Sequence, residues 1–115
     1  AEGYRGFLTI LRKGRKFSAV VAANDLLALG CYDALLEFGL ECPGDMSVTG
    51  FSDMPFMDRL TPPLTTLHIP LDEIGVQAAN LLMERIRNPE SPVRTVNLLP
   101  ELIVRGSTAP PTIEK

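Results

Sequence analysis

The polar side chains that could do chemistry in this sequence are Asn24 with Asp25, Ser52 with Asp53, His68, and the thiols Cys31 and Cys42. Asn24 and Asp25 follow directly on the apolar run FSAVVAA (17–23), and Ser52 and Asp53 close the run MSVTGF (46–51). An amide both donates and accepts, a serine hydroxyl rotates, and a carboxylate only accepts. Each also has a plainer use: Asn24 as a helix N-cap, Asp25 as a capping and dipole-stabilising acid, Asp53 as a turn carboxylate. Alternation along an extended segment points Asp53 to the side opposite Ser52. His68 is the single histidine, and nothing in the sequence supplies the nucleophile or metal that a general base would need. It is expected to be satisfied by backbone or solvent. The two cysteines lack metal-binding spacing and are too few for a disulfide framework, so they read as reduced thiols. No glycine-rich dinucleotide fingerprint opens a helix and no phosphate loop is present. No catalytic residue, metal ligand or cofactor is therefore expected.

The elements that must position these groups follow from periodicity. Residues 4–13 carry Phe7, Leu8, Ile10 and Leu11 among basic residues, which suits a short amphipathic helix stopped by Gly14. The run 17–23 has the small and β-branched composition of a strand covered on both faces, as in a parallel sheet. Residues 26–38 then read as a helix ended by Gly39, with Leu27, Cys31, Ala34, Leu35 and Phe38 on one face. Leu29, Tyr32 and Leu36 fall on the opposite face and need a second partner. Strands are expected at 46–51, 65–69, 93–99 and 101–105, a helix at 71–87, and a frayed tail at 109–115. The helix 71–87 has Asp72 and Glu73 in its first turn and Arg85 and Arg87 in its last, matching the helix dipole.

A strand–helix–strand unit with a crossover of about 25 residues predicts a parallel sheet flanked by helices, an α/β fold. Ligands in such sheets bind beyond the carboxyl ends of the strands. Asn24 and Ser52 end neighbouring parallel strands, so they share one edge, and that edge is the candidate site.

Composition narrows the function. The chain has 115 residues, 45% hydrophobic and 22% charged, with a net charge of −3, enough for one globular core but not for a nucleic-acid surface. Arg12, Lys13, Arg15 and Lys16 are most simply a solvated helix end. No apolar run approaches a membrane span, and no charged-then-apolar stretch reads as a leader peptide.

Several strings together resemble a known family. AVVAANDLLALG (19–30), PGDMSVTGFSD (43–53), TPPLTTL (61–67), IPLDEIGVQAANLLMERI (69–86) and LLPELIVRGST (98–108) resemble, in order, the effector-binding domain of LacI/GalR-type transcription regulators. Related periplasmic sugar-binding proteins share the first junction, but the Pro-x-Leu-Thr-Thr segment is typical of the regulators. The resemblance implies a periplasmic-binding-protein-like fold of type I, two Rossmann-like subdomains around a small-molecule cleft, of which this chain is a C-terminal fragment. Residues 1–68 would belong to the C-terminal subdomain, 69–100 would pack on the N-terminal subdomain, and 101–108 would be the return strand. Helix 71–87 would then dock either as in the family or on a second copy.

The resemblance also implies roles. Asn24 matches a position that contacts the effector, Ser52 stands where many members have an Asp that grips paired sugar hydroxyls, and Asp53 is a secondary candidate. The effector would be a carbohydrate or sugar-like molecule. A homodimer contact would use Leu29, Tyr32, Asp33 and Leu36, with Met54 and Leu60 from the loop that also holds Phe56 and Met57. Operator DNA would be reached only through a helix-turn-helix headpiece outside this chain, in a cytoplasmic repressor without membrane contact. The competing reading is a periplasmic sugar-binding protein of a transport system.

Overall fold

Asn24 ends one element and starts the next. Its backbone is extended (φ −156°, ψ 172°), and its side-chain oxygen accepts from the Leu27 N–H at 2.8 Å, an N-cap in the computed structural model, which describes residues 2–112. Strand β1 (Ala19–Val21) precedes it and helix α2 (Asp25–Glu37) follows, after an opening helix α1 (Glu2–Arg12). Gly39, at φ 68°, turns the chain out of α2, with Gly39 N–H on the Leu36 carbonyl and Leu40 N–H on that of Leu35. Strand β2 (Ser47–Thr49) comes next, then a single 3-10 turn (Met57–Arg59), β3 (Thr66–His68), helix α3 (Leu71–Arg87) and β4 (Glu101–Ile103). Residues up to 68 and those from 102 onward form one compact unit, and residues 69–101 form a second.

In the first unit β1 and β2 are parallel, with Ala19, Val20 and Val21 opposite Ser47, Val48 and Thr49. Parallel bridges Thr49–Thr65 and Ser52–His68 continue the sheet to β3, which pairs with β4. The core lies on one face, where Ala28, Cys31, Ala34 and Leu35 of α2 meet Val48, Met46, Leu64 and Met57, with Phe7 and Leu8 of α1. Helix α1 approaches α2 backbone to backbone. A Cβ on Gly30 would lie 2.6 Å from the Gly3 carbonyl carbon, and one on Gly3 2.6 Å from the Leu27 carbonyl oxygen. Phe7 adds an edge-on contact to Phe17.

Residues 105–109 act as a polar stitch across this sheet. Ser107 donates its hydroxyl to the Val48 carbonyl (2.6 Å) and accepts from the Thr65 N–H (2.8 Å), while its own carbonyl takes the Val48 N–H (2.9 Å). Thr65 and Thr108 hydroxyls pair at 2.9 Å. The early half of β2 is thus paired by Ser107, and the later part of that chain by the Thr65 and Leu67 carbonyls, which take the Gly50 and Ser52 N–H groups. This corrects the expected tail from 109 onward: Ala109 exchanges hydrogen bonds with Ser47 Oγ, and Thr112 donates to the Gly44 carbonyl. The end of that expected tail, residues 113–115, lies outside the described residues.

Other expectations also change. The 17–23 run is covered on one face only, since Val21 is 82% exposed. Its continuous apolar character asks for a cover that the described residues of the first unit do not supply. The strands are shorter than the apolar runs, 47–49 rather than 46–51, because Gly50 to Asp53 bend out of regular pairing. Phe38 lies half out of the core at the C-cap, where the Gly39 turn carries it off the helical wheel.

The second unit is built around α3, whose observed bounds are those expected from periodicity. None of its residues is buried: Leu71, Ile74, Val76, Leu82 and Ile86 are all exposed. Local contacts finish the helix. The Arg85 guanidinium donates to the Pro89 and Ser91 carbonyls, both at 3.0 Å, and Glu84 pairs with Arg94 at 2.9 Å. The expected strand at 93–99 is absent among the described residues, because its backbone meets no partner strand here. The segment expected at 101–105 is regular only over Glu101–Ile103.

Candidate functional site

Val21 lies opposite Thr49, Asn24 and Ser52 each follow three residues later beyond the carboxyl ends of their strands, and Ser52 is itself bridged to His68. Asn24, Ser52 and His68 therefore form a row along the carboxyl ends of β1, β2 and β3. Asp25 N–H donates to the Phe51 carbonyl at 3.2 Å, tying the start of α2 to this edge. Asn24 is exposed. Its oxygen is committed to the cap, and among the described residues its amide nitrogen has no partner. The two uses foreseen for this side chain are thus compatible, the oxygen capping and the nitrogen available to a ligand.

Asp25 plays a part that the sequence did not disclose. It is fully buried, and its carboxylate accepts from Thr66 Oγ1 at 2.7 Å and from the Met54 N–H at 2.6 Å. It fastens the first turn of α2 to β3 and to the loop after Ser52. Gly50 exists to make room for it: a Cβ there would collide with the Asp25 carboxylate and lie 2.8 Å from Leu64 Cδ2. A glycine in a strand often marks such close approach, which was the available signal.

Ser52 and Asp53 both have positive φ, 113° and 59°. For residues other than glycine such backbone costs about 1–3 kcal/mol each and persists only where the surroundings impose it. Asp tolerates the left-handed region better than most residues. The bend also interrupts the extended backbone on which the expected placement of Asp53 opposite Ser52 rests. Asp53 Oδ1 instead accepts from the Arg105 guanidinium at 2.8 Å, and Oδ2 meets His68 Nδ1 at 2.9 Å. The Arg105 guanidinium holds the Asp53 carboxyl below the usual carboxylate range, His68 adding to the effect and partial burial opposing it. His68 is thus satisfied by a carboxylate, where backbone or solvent was expected. Arg105 was not singled out from the sequence, in which it is one arginine of a short apolar strand.

Asn24 and Ser52 share the edge but not one enclosed cavity. Asn24 borders a recess with Glu2, Gly3, Leu26 and Leu27, of about 310 Å³. A second recess, of about 300 Å³, lies on the uncovered face among Val21, Ala23, Phe51, Leu67 and Leu102.

The residues expected at a dimer contact divide. Asp33, Leu36 and Met54 are exposed, Leu36 to 81%, whereas Leu29, Tyr32 and Leu60 are half-buried against the core. Tyr32 donates its hydroxyl to the Pro62 carbonyl at 2.8 Å, and burial pushes its ionisation up to about 12. Burial likewise raises the Cys31 thiol to about 11, so it packs as an inert apolar group. Among the described residues no group of three or more His, Cys, Asp or Glu side chains could hold a metal ion, and no helix is long and apolar enough to cross a membrane.

Comparison with known proteins matches this arrangement. The family model of the periplasmic binding protein-like domain matches residues 4–108. The chain is 42% identical over 110 residues to the lactose operon repressor of Rhizobium radiobacter, covering 96% of each. It is 44% identical over 96 residues to the HTH-type transcriptional regulator MalR of Streptomyces coelicolor, covering 84% of this chain and 28% of that protein. The crystal structure of a LacI family transcriptional regulator from Enterococcus faecalis with bound ribose superposes with a TM-score of 0.87 at 36% identity, covering 94% of this chain and 40% of that one. The chain thus spans well under half the length of MalR and of the ribose-bound regulator. With parallel β1 and β2, a helix after each of β1 and β3, and a family match over residues 4–108, the chain belongs to the LacI/GalR family and is part of its periplasmic-binding-protein-like, effector-binding domain.

Proposed function

We propose that this chain is the effector-sensing and dimerising part of a transcription repressor, with the effector a carbohydrate or sugar-like small molecule. The carrying observation is the polar row at the carboxyl ends of parallel strands, with the Asn24 amide open and Ser52 held at positive φ beside it. The related proteins named above are regulators, one of them holding ribose, which favours this reading over a transport protein. Asn24 donates to a ligand hydroxyl, and Ser52 offers one rotatable hydroxyl in place of a carboxylate that could grip a diol. Binding shifts an equilibrium between two arrangements of a larger protein, and no bond is made or broken. Operator DNA is contacted by a headpiece outside this chain, in the cytoplasm. The exposed Leu36, Asp33 and Met54 supply the free part of the dimer surface.

The test uses the parent protein and a sugar panel that includes D-ribose and lactose. A ligand at about 100 times its dissociation constant should stabilise the fold by about 2.7 kcal/mol in thermal unfolding. Asn24→Asp keeps the capping oxygen and removes the amide donor, so the fold should hold while the ligand-induced gain shrinks. An undiminished gain in that variant removes Asn24 from the site. Leu36→Asp should move the parent towards monomer in sedimentation, and an unaltered sedimentation coefficient would sink the dimer assignment.

A further inference from the structure

We propose that Asp53 is a positioning residue for the effector site: its carboxylate clasps the two passages by which the chain leaves and re-enters the strand-bearing unit, and so fixes the backbone that carries Ser52. The proposal rests on the reading of Ser52 as an effector contact and assigns Asp53 a role that acts through its neighbour.

The geometry carries this in three steps. The chain leaves the first unit after His68 and returns at Leu102, and Asp53 holds His68 with one oxygen and Arg105 with the other. Arg105 is itself anchored. Its guanidinium also donates to the Leu64 carbonyl at 2.9 Å and its backbone N–H to Thr65 Oγ1 at 2.9 Å, so it fixes Asp53 to the base of β3. Ser52 is then held from both sides, its N–H on the Leu67 carbonyl at 2.9 Å and its successor clamped, which is what sustains two consecutive positive φ values. Direct gripping of ligand hydroxyls by Asp53 would compete with both donors. The Asp53–Arg105 pair is well shielded, with side-chain exposures of 14% and 18%, while His68 at 49% is the outer, weaker arm.

The test uses the parent protein with Asp53→Asn, Arg105→Gln and Ser52→Ala, alone and combined. Two readouts are taken: amide exchange over residues 51–54, and affinity for whichever of D-ribose or lactose the unmutated protein binds better. Positioning predicts that Asp53→Asn and Arg105→Gln each speed exchange at 51–54 and each weaken the sugar by about 5-fold, and that neither weakens it further in the Ser52→Ala background. A merely structural role would not vanish in that background. Loss with Asp53→Asn but not with Arg105→Gln, or further loss on top of Ser52→Ala, assigns a direct ligand contact and overturns the proposal. Unchanged exchange at 51–54 in both variants also overturns it, whether or not a sugar binds. If the unmutated parent binds neither sugar, the effector reading fails and the positioning role with it, while the exchange data separately judge the clasp.

Discussion

The strand-bearing unit and the segment 69–101 solve opposite problems with similar composition. In the first, apolar side chains find one another, and among the described residues no buried side-chain nitrogen or oxygen lacks a partner. In the second, a helix of 17 residues has no buried residue, and among the described residues its side-chain polar contacts serve its own C-terminal end. Both helices α2 and α3 have apolar stripes. An apolar stripe therefore specifies a need for cover and says nothing of where the cover comes from. Length and termini of a helix are local matters, decided by caps and charges. Burial is decided by partners.

That contrast can be broken or sharpened by mutation, beginning where the largest effect is expected. Asp25→Ala removes a buried acceptor from both Thr66 and the Met54 N–H, and should cost about 4 kcal/mol in urea unfolding, two charge-assisted bonds being lost. Neighbouring leucines on α2 give the next test. Leu35→Ala, from 1% exposure, should cost about 3 kcal/mol, and Leu36→Ala, from 81%, less than about 0.5 kcal/mol. Equal losses at the two would contradict the described packing of α2.

Gly30→Ala should cost about 2 kcal/mol by forcing α1 off α2, since the new Cβ meets backbone that cannot step aside. Acid titration probes the edge of the same unit. Asp53 has a depressed pKa in the folded state, so its contribution is present above the ordinary value of 3.8 and is lost as pH falls below it. Stability measured from pH 6 downward should fall through that range, and Asp53→Asn should flatten this part of the curve. The smallest effect belongs to the second unit: Leu82→Gln in this chain should change stability by less than about 0.5 kcal/mol, because the side chain is already 60% exposed. A loss of several kcal/mol there would mean that α3 is covered by something in solution.

Much of this was legible in the sequence, and the exceptions share a cause. Periodicity and end charges set α3 at 71–87, and Asn24 and Gly39 bracket α2 within a residue. The parallel β1–β2 pairing and the common edge of Asn24 and Ser52 followed from the strand–helix–strand order. What escaped was everything decided by contacts distant in sequence. Asp25 looked like a capping acid and is a buried anchor because Thr66 and Met54 reach it from other elements. Asp53 looked like a turn carboxylate and is held by His68 and Arg105, which reach it from β3 and from beyond β4. Arg105 ended a short apolar strand pattern and Ser107 lay just beyond it, with no sign of the partners at Asp53, Thr65 and Val48. The run 93–99 had strand composition and no strand to pair with.

The stitch at Ser107 has a consequence for how the chain is made. Its hydroxyl bonds Val48 across 59 residues, and the whole segment 69–101 lies between these two partners in the order of synthesis. Strand β2 emerges from the ribosome with half of one edge unpaired, and that edge closes only after the excursion through α3 is complete. The second unit is topologically an insertion whose ends meet at the paired strands β3 and β4. Joining those strands by a short turn would place Ser107 beside Val48 early in synthesis and lower the contact order of the sheet, so refolding of the shortened chain should be faster than that of the parent segment.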